Sequence, residues 1–154
     1  MRGFERHGEL KIRAIERADL LSVFRIETRS FGQPWPYAAF ERLLDAPGFL
    51  VADTGQEVVG YVIADTIDTH GATVGHIKDL AVAPEHRRRG IGRTLLSRGL
   101  VTLAGSGADR VKLEVRRTND AARSLYAAFG FERHHTVPGY YDDGEDAYVL
   151  VKQL

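Results

Sequence analysis

Hydrophobic and polar positions follow two different periods along this chain. Short apolar or alternating runs, typical of strands, occupy residues 10–15, 49–53, 57–67, 74–82, 111–115, 131–137 and 146–151. Apolar residues spaced three or four positions apart, typical of helices, occupy residues 16–30, 37–45, 90–104 and 119–129. The resulting order, β-α-α-β-β-β-α-β-α-β-β, predicts a mixed α/β (α+β) sheet with helices packed on it.

Turn and capping residues support these boundaries. Pro34-Trp35-Pro36 ends the first helix, because proline cannot continue a helix and restricts the residue before it. Asn119 can cap the last helix, and Gly130 stands where a helix end favours positive φ. A chain of 154 residues is the size of one domain, so we expect a single domain over residues 1–154, with residues 1–8 as a loose tail.

Composition narrows the class of protein. Hydrophobic residues are 44% and charged residues 27%, which is typical of a water-soluble domain. Cysteine is absent, which excludes a disulfide scaffold, a cysteine nucleophile and thiolate metal sites. The sequence has no run of 18 apolar residues and no secretory signal at residues 1–7, so we expect a cytoplasmic protein without a membrane span.

The net charge of +0 is unevenly distributed. Residues 1–77 hold 8 basic and 11 acidic side chains, residues 78–117 hold 10 and 4, and residues 118–154 hold 3 and 6. The differences are −3, +6 and −3. A basic centre between acidic flanks is compatible with an anionic ligand and a cationic one nearby, but the charge distribution alone favours the simpler interpretation of a patchy surface.

The most informative segment is residues 80–96, in which a strand ends at Pro84 and a helix begins just after three arginines and two glycines. Glycine lets the backbone approach a ligand, and the free N–H groups at a helix N-terminus bind anions. Arginines add charge-assisted hydrogen bonds to phosphate. The pattern predicts a phosphate or pyrophosphate site at the loop and the start of the helix, which contain Arg87, Arg88, Arg89, Gly90, Ile91, Gly92 and Arg93; Leu80, Ala81 and Val82 form the strand end before this loop.

Two common phosphate motifs do not fit this segment. The P-loop requires Lys followed by Ser or Thr after its second glycine, and the chain has Arg93 directly after Gly92. The dinucleotide fingerprint requires Gly or Ala at position 95, which is Leu95, and it normally follows the first strand of a domain. A capped helix with solvated arginines remains as the structural alternative.

Arg87-x-x-Gly90-x-Gly92, after the Leu-Ala-Val strand end, resembles the acetyl-coenzyme A loop of the GNAT acetyltransferases. Leu113-Glu114-Val115-Arg116, Asn119, Leu125-Tyr126 and Gly130-Phe131 are similar to the RimI-like N-terminal acetyltransferases. The resemblance extends from about Leu10 to Leu150. It implies the GNAT fold, a twisted mixed sheet of about seven strands with helices on both faces and central strands that splay around the coenzyme.

The resemblance also implies catalytic roles. Glu114 corresponds to the family's general base, and because apolar residues flank it in a strand we expect a raised pKa and a side chain opposite to Leu113 and Val115. The alternative is a half-exposed carboxylate that pairs with Lys112 or Arg116 on the same face of the sheet. Tyr126 corresponds to the acid that protonates the departing thiolate, although a helical tyrosine beside Leu125 is also typical of a core. His76 is a rival base, or a partner of Glu114 in one water relay; strand parity predicts that it shares a face with Lys78 and Leu80.

Backbone N–H groups near Leu80 to Val82 would hold the oxyanion, as in the family's bulged strand. Asn119 would cap its helix, hydrogen-bond the pantetheine arm, or do both. On the acceptor side, Phe31, Pro34 and Trp35 are expected to form an apolar pocket, and Tyr140 and Tyr141 to hydrogen-bond a peptide backbone. Four acidic residues of the last loop would attract a cationic amine, although a solvated loop tip is the better interpretation for the first two; they are Asp142, Asp143, Glu145 and Asp146.

The predicted function is therefore direct transfer of an acetyl group from acetyl-CoA to a protein N-terminus, with a ribosomal protein or nascent chains as candidate partners. A GNAT acting on protein lysine or a small amine, and a non-catalytic acetyl-CoA sensor, are the alternatives. We predict no metal, because His86, His134 and His135 lack ligand spacing with nearby carboxylates. Because aromatic residues do not interleave with the arginines and the pI is ≈ 7.0, we expect no nucleic-acid partner. A monomer is expected, with a dimer as the alternative.

Overall fold

The computed structural model describes residues 9–154, which form a seven-stranded mixed sheet in the order β1-β2-β3-β4-β5-β7-β6. The strands are β1 (Lys11–Ala14), β2 (Gly48–Asp53), β3 (Val58–Thr69), β4 (Ala72–Val82), β5 (Arg110–Arg116), β6 (Glu132–Val137) and β7 (Ala147–Gln153). The helices are α1 (Leu20–Ser30), α2 (Tyr37–Arg42), α3 (Ile91–Gly105) and α4 (Asp120–Ala128), with 3-10 turns at Arg17–Asp19 and Pro84–His86. The predicted fold class and element order are confirmed, whereas the tail predicted at residues 1–8 lies outside the described range.

Two hydrophobic clusters, one on each face of the sheet, hold the helices in place. On one face, α3 and α4 pack against the central strands with side chains that include Leu95, Leu96 and Leu103. On the other face, α1 and α2 pack through Leu20, Val23 and other residues. Successive strand residues point to opposite faces, so each central strand contributes to both clusters. Both faces are therefore covered by helices, as the family resemblance implied.

The centre of the sheet opens between β4 and β5. These parallel strands pair only at Val74↔Arg110, Gly75↔Val111 and His76↔Lys112, and beyond this point they diverge. On its other side β4 stays paired with β3, from Gly60↔Val82 to Thr69↔Ala72. The second half of β4 therefore has one backbone edge directed into a gap within the sheet.

A β-bulge interrupts β4 at the start of this gap. Ile63 pairs with Asp79 and Ala64 with Ile77, which leaves Lys78 as the extra residue. The bulge shifts the alternation of side chains, so Ile77 and Leu80 pack against the same cluster although they are three residues apart. The prediction that His76, Lys78 and Leu80 share one face was therefore wrong, because the inserted residue changes the parity of the strand.

Some element boundaries differ from the prediction. The segment expected to begin a helix at Glu16 starts with the turn Arg17–Asp19, because the Asp19 carboxylate accepts the Glu16 N–H at 2.8 Å and pairs with Arg13. Helix α3 extends to Gly105, one residue beyond the predicted range of 90–104. The caps of α4 follow the prediction: Asn119 Oδ1 accepts the Ala122 N–H, and Gly130 has a φ of 89°.

Candidate active site

A cavity of about 610 Å³ follows the open edge of β4 to the N-terminus of α3. All but one of the predicted coenzyme residues line it, and these are Leu80, Ala81, Val82, Arg87, Arg88, Gly90, Ile91, Gly92, Arg93, Asn119 and Tyr126. Arg89 does not line the cavity, and its guanidinium lies 3.5 Å from Nδ1 of His86. We call this the donor cavity.

The backbone at the start of α3 matches an anion site. Gly90 has a φ of 79° and Arg88 a φ of 65°, so the chain turns through left-handed conformations directly before the helix. The first intrahelical hydrogen bond is Thr94 N–H to the Gly90 carbonyl, at 3.0 Å. The three preceding N–H groups therefore have no helical acceptor, and they stand at the positive end of a 15-residue helix beside arginine side chains. This arrangement fits the pyrophosphate of a coenzyme.

The charge of Arg87 suggested a contact with phosphate, but its side chain forms hydrogen bonds within the protein. Its Nε donates to the Val82 carbonyl at 3.0 Å, and its Nη2 donates to Ser30 Oγ at 3.2 Å. The guanidinium thus ties the loop to β4 and to the end of α1. The positive charge stays at the rim of the donor cavity, but these two contacts fix its direction.

A second cavity of about 390 Å³, the acceptor cavity, adjoins the donor cavity. The residues that line both are Phe31, Leu80, Asn119, Ala122 and Tyr126. The acceptor cavity is also lined by the predicted residues Trp35, Glu114, Tyr140 and Tyr141, whereas Pro34 lies outside its wall. The two cavities therefore meet at Tyr126 and Leu80, beside the bulge of β4.

The two predicted bases are joined to each other. His76 Nε2 and Glu114 Oε1 lie 2.8 Å apart, and Glu114 Oε2 lies 3.4 Å from Lys112 Nζ. The His76 Nδ1 atom is buried and has no hydrogen-bond partner within the described residues. Since an ionised carboxylate can only accept, Nε2 of His76 is the donor of the hydrogen bond to Glu114.

The side chain of Glu114 points away from Leu113 and Val115, which are buried against α3, as predicted. The prediction of a raised pKa was wrong. The hydrogen bond from His76, assisted by the charge of Lys112, lowers the pKa of Glu114 despite its partial burial. Flanking apolar residues on a strand do not desolvate the opposite face, and here that face carries two nitrogen partners.

Tyr126 is buried where the two cavities meet, with 7% of its surface exposed. Its ring packs edge-on against Phe131, with 5.7 Å between the ring centroids. Burial raises the pKa of the Tyr126 hydroxyl. The hydroxyl therefore keeps its proton at neutral pH, as a general acid requires.

Arg116, which the sequence analysis did not single out, connects two walls of the acceptor cavity. Its Nη1 pairs with Glu145 at 2.8 Å and with Asp143 at 2.9 Å, and its Nη2 donates to Gln33 at 3.3 Å. The guanidinium carbon lies 4.1 Å from the ring centroid of Tyr141. One side chain thus holds the loop between β6 and β7 against the loop between α1 and α2.

These contacts correct the expected role of the acidic loop. Asp143 and Glu145 are paired with Arg116, and Asp146 Oδ1 accepts the Gly139 N–H at 3.0 Å. Of the four acidic residues, only Asp142 lines the acceptor cavity. Most of the negative charge therefore stabilises the loop rather than facing a substrate amine.

A buried network beneath the acceptor cavity was also missed. The Tyr61 hydroxyl lies 2.5 Å from Glu27 Oε1 and 3.0 Å from Asp79 Oδ2. Glu27 Oε2 accepts the Trp35 N–H at 2.9 Å, and Asp79 Oδ1 accepts the Leu80 N–H at 2.9 Å. Burial and the neighbouring Glu27 raise the pKa of Asp79. The available signal was Glu27, a charged residue on the apolar stripe of α1 that Leu20 and Val23 define.

Two absences concern the described part of the chain. Between residues 9 and 154, no group of three or more His, Cys, Asp or Glu side chains has the arrangement of a metal site. No helix in that range is both long enough and apolar enough to cross a membrane.

An anion site at a helix N-terminus, joined at a tyrosine to a pocket with a carboxylate, defines a group-transfer enzyme with two substrates. Comparison with known proteins specifies the class. Residues 20–131 match the model of the acetyltransferase (GNAT) family, and the chain belongs to this family. It is therefore an acetyl-CoA-dependent acyltransferase.

Individual relatives are similar over nearly the whole chain. An N-alpha-acetyltransferase of Sulfolobus acidocaldarius is 36% identical, covering 94% of this chain and 92% of its own. The N-alpha-acetyltransferase RimI of Mycobacterium tuberculosis is 38% identical, covering 90% and 89%. Among solved structures, the ribosomal-protein-S18-alanine N-acetyltransferase of Escherichia coli superposes with a TM-score of 0.80 at 27% identity, covering 94% of each chain.

Proposed function

We propose that this chain transfers the acetyl group of acetyl-CoA to the N-terminal α-amino group of a protein, directly, in a complex that holds both substrates. The observation that carries the proposal is the junction of the two cavities, where Tyr126 and Leu80 border both and Glu114 lines the acceptor cavity. The names of the relatives from Sulfolobus acidocaldarius and Mycobacterium tuberculosis support the same class of acceptor.

The donor half would be bound mainly by backbone groups. The pyrophosphate of acetyl-CoA would meet the N–H groups that begin α3, with the charges of Arg88 and Arg93 at the rim. The pantetheine arm would follow the open edge of β4, with Asn119 beside it. The Asn119 Oδ1 atom already caps α4, so its amide nitrogen is the group left for the arm.

The acceptor amine needs little activation. A free α-amino group has a pKa of roughly 7.7–8.0, so a substantial fraction is neutral near pH 7. The remaining proton can pass to Glu114 through a water molecule, since its lowered pKa keeps it ionised. Lysine, with a pKa of about 10.4, would demand a stronger base than this carboxylate.

The chemical step exchanges one bond for another. The amine nitrogen bonds to the thioester carbon, the C–S bond breaks, the nitrogen releases a proton towards Glu114, and the sulfur receives a proton from Tyr126. His76 donates to Glu114 and thereby orients the carboxylate. In this scheme Glu114 is the base, Tyr126 the acid and His76 a positioning residue.

The walls of the acceptor cavity suit an extended peptide. Phe31 and Trp35 supply apolar surface, and the paired rings of Tyr140 and Tyr141, 5.0 Å apart, place two hydroxyl-bearing side chains at its mouth. Tyr140 is 51% exposed, so it is accessible to a bound chain. The similar Escherichia coli enzyme is named for acetylation of an alanine of ribosomal protein S18. We therefore include a ribosomal protein with an N-terminal alanine among the candidate acceptors.

Paired peptides test this proposal. Thiol release from acetyl-CoA is measured with a peptide that has a free Ala, Ser or Met N-terminus and no lysine, and with a partner that has a blocked N-terminus and one internal lysine. We expect turnover of the first peptide only. Turnover of the lysine peptide alone would overturn the assignment of the acceptor, and acetyl-CoA binding without turnover of either peptide would point to a small amine or a sensor.

A further inference from the structure

The network of Glu27, Tyr61 and Asp79 contains one more proton than ordinary ionisation would give it. The Tyr61 hydroxyl has a single hydrogen, yet its oxygen lies within hydrogen-bond distance of both carboxyl groups. If both carboxyl groups were ionised, one contact would bring two oxygen atoms together with no hydrogen between them. One of the two carboxyl groups must therefore be a neutral acid.

The distances indicate that Asp79 carries this proton. The Tyr61 oxygen lies nearer to Glu27, at 2.5 Å, than to Asp79, at 3.0 Å, so its single hydrogen points to Glu27. Glu27 is 2% exposed and also accepts the Trp35 N–H, so two donors stabilise its charge. Asp79 then donates to the Tyr61 oxygen and the Tyr61 hydroxyl donates to Glu27, so each of the three groups has its hydrogen-bond partner.

Asp79 is in contact with a backbone group at the reaction centre. Ala83 donates its N–H to the Val59 carbonyl, at 2.8 Å, so in the antiparallel pairing of β3 and β4 the odd-numbered residues of this stretch face β3. The N–H of Leu80 therefore points to the other edge, into the gap where β5 has diverged. In the described structure the Asp79 Oδ1 atom accepts that N–H at 2.9 Å.

We propose that Asp79 is a positioning residue that Glu27 and Tyr61 hold as a neutral acid. In this form Asp79 releases the Leu80 N–H, which can then donate to the oxygen of the reacting thioester. A neutral carbonyl oxygen holds an N–H about half as strongly as a carboxylate does, so the thioester oxygen can displace it. An ionised Asp79 would retain the N–H and would place a negative charge next to the developing oxyanion. The inference rests on acetyl transfer at this site and does not depend on which amine accepts the group.

Glu27→Gln tests the proton count. The amide oxygen of the substituted side chain can accept the Trp35 N–H, which turns its NH₂ group towards Tyr61, and the Tyr61 hydroxyl must then donate to Asp79. The negative charge moves from position 27 to Asp79, directly beside the Leu80 N–H. Since loss of one oxyanion donor slows catalysis about 10²–10³-fold, we expect a fall in kcat of at least ~10-fold.

Adding Asp79→Asn to this variant removes the displaced charge. We expect E27Q/D79N to recover most of the activity that E27Q loses. If each substitution only disturbed the structure, the two losses of activity would add instead. A double variant slower than E27Q would overturn the proposal. Slow hydrolysis of acetyl-CoA without peptide passes through the same oxyanion and should show the same order of rates, so a wrong acceptor assignment would be distinguishable from a wrong role for Asp79.

The alkaline limb of the rate profile gives a second readout. Ionisation of Asp79 at high pH should lower kcat in the wild type, and this contribution should be absent in D79N. Ionisation of the general acid Tyr126 lowers kcat in both proteins, so the midpoint of the alkaline limb should move to higher pH in D79N. Other titratable and charged groups that face Asp79 or share its cavity stay in place in both proteins, and these are Glu27, Tyr61, Lys78, Glu114, Arg116, Tyr126, Tyr140, Tyr141 and Asp142. An unchanged midpoint in D79N would contradict the assignment.

A measurement without turnover covers the case in which a variant fails to fold. In wild-type protein labelled with ¹³C at carboxyl carbons, Asp79 should show the chemical shift of a protonated acid at pH 7 and Glu27 that of a carboxylate. An ionised Asp79 at pH 7 would overturn the proposal regardless of any activity.

Discussion

The donor cavity and the acceptor cavity are built in different ways. The donor cavity takes most of its wall from one continuous segment, residues 80–93, and presents backbone N–H groups. The acceptor cavity takes side chains from α1, β4, β5, α4 and the loop before β7, which are distant in sequence. Binding of the donor is thus a local property of the chain, whereas the acceptor cavity depends on long-range contacts such as those of Arg116 and Glu27.

Tyr126 belongs to both cavities, so its removal should have the largest effect. Tyr126→Phe keeps the packing against Phe131 but removes the hydroxyl. We expect kcat to fall roughly 100-fold, within the range typical of a general acid, while the Kd of acetyl-CoA changes little. Steady-state kinetics and calorimetry measure the two quantities. If kcat stayed within threefold of wild type, Tyr126 would be a core residue and the junction would have another acid.

The donor cavity should be sensitive to backbone conformation alone. Gly90→Ala introduces a Cβ that meets no atom within 4 Å, so its only cost is the positive φ of 79°. A left-handed alanine costs roughly 1–2 kcal/mol, and relaxation of the turn would misdirect the N–H groups of α3. We expect the Kd of acetyl-CoA to rise about tenfold, as measured by calorimetry.

Gly55→Ala is a matched control for this change. Gly55 has a φ of 94° in the turn between β2 and β3, its Cβ would also meet nothing within 4 Å, and it lines neither cavity. It should lower the melting temperature as Gly90→Ala does, without changing the Kd of acetyl-CoA. Equal losses of affinity in both variants would show that global stability, not the α3 turn, controls donor binding.

The acceptor cavity should be sensitive to a side chain that need not touch the substrate. Arg116→Met removes the ties to Asp143, Glu145 and Gln33 and leaves both loops to be ordered by the peptide. Ordering a side chain on binding costs about 0.5–1.5 kcal/mol, so we expect the KM of the peptide to rise roughly fivefold. The KM of acetyl-CoA should stay the same. The neighbouring, exposed Arg117→Met should change neither constant.

The same contrast explains which parts of the site were predictable. The donor loop could be predicted because its glycines, arginines and strand end are adjacent in sequence. Their function depends on neighbouring residues of the same segment. His76 and Glu114 were each identified, but their hydrogen bond depends on the parallel register His76↔Lys112, which no local pattern specifies. For the same reason the pKa of Glu114 was assigned the wrong direction.

Three other misses arise from structure that periodicity does not encode. The bulge at Lys78 inserts one residue, which reverses every face assigned beyond it. Arg116 was recognised only as part of a motif, because its carboxylate partners follow 27 and 29 residues later. Glu27 had a detectable signal, since a carboxylate on a buried helix stripe requires a partner, but Tyr61 could be identified as that partner only from the fold.

The smallest expected effect concerns the stability of the acidic loop at low pH. Hydrogen bonds from Thr118, together with Arg116, lower the pKa of Glu145 to about 2. The unfolded chain has the ordinary value of about 4.3, so the carboxylate stabilises the fold above that pH, and the contribution disappears as the pH falls towards 2. Glu145→Gln should therefore melt below the wild type at pH 6, with a difference that shrinks below pH ~4. A difference that persisted at pH 2 would mean that shape, not charge, holds the loop to Thr118 and Arg116.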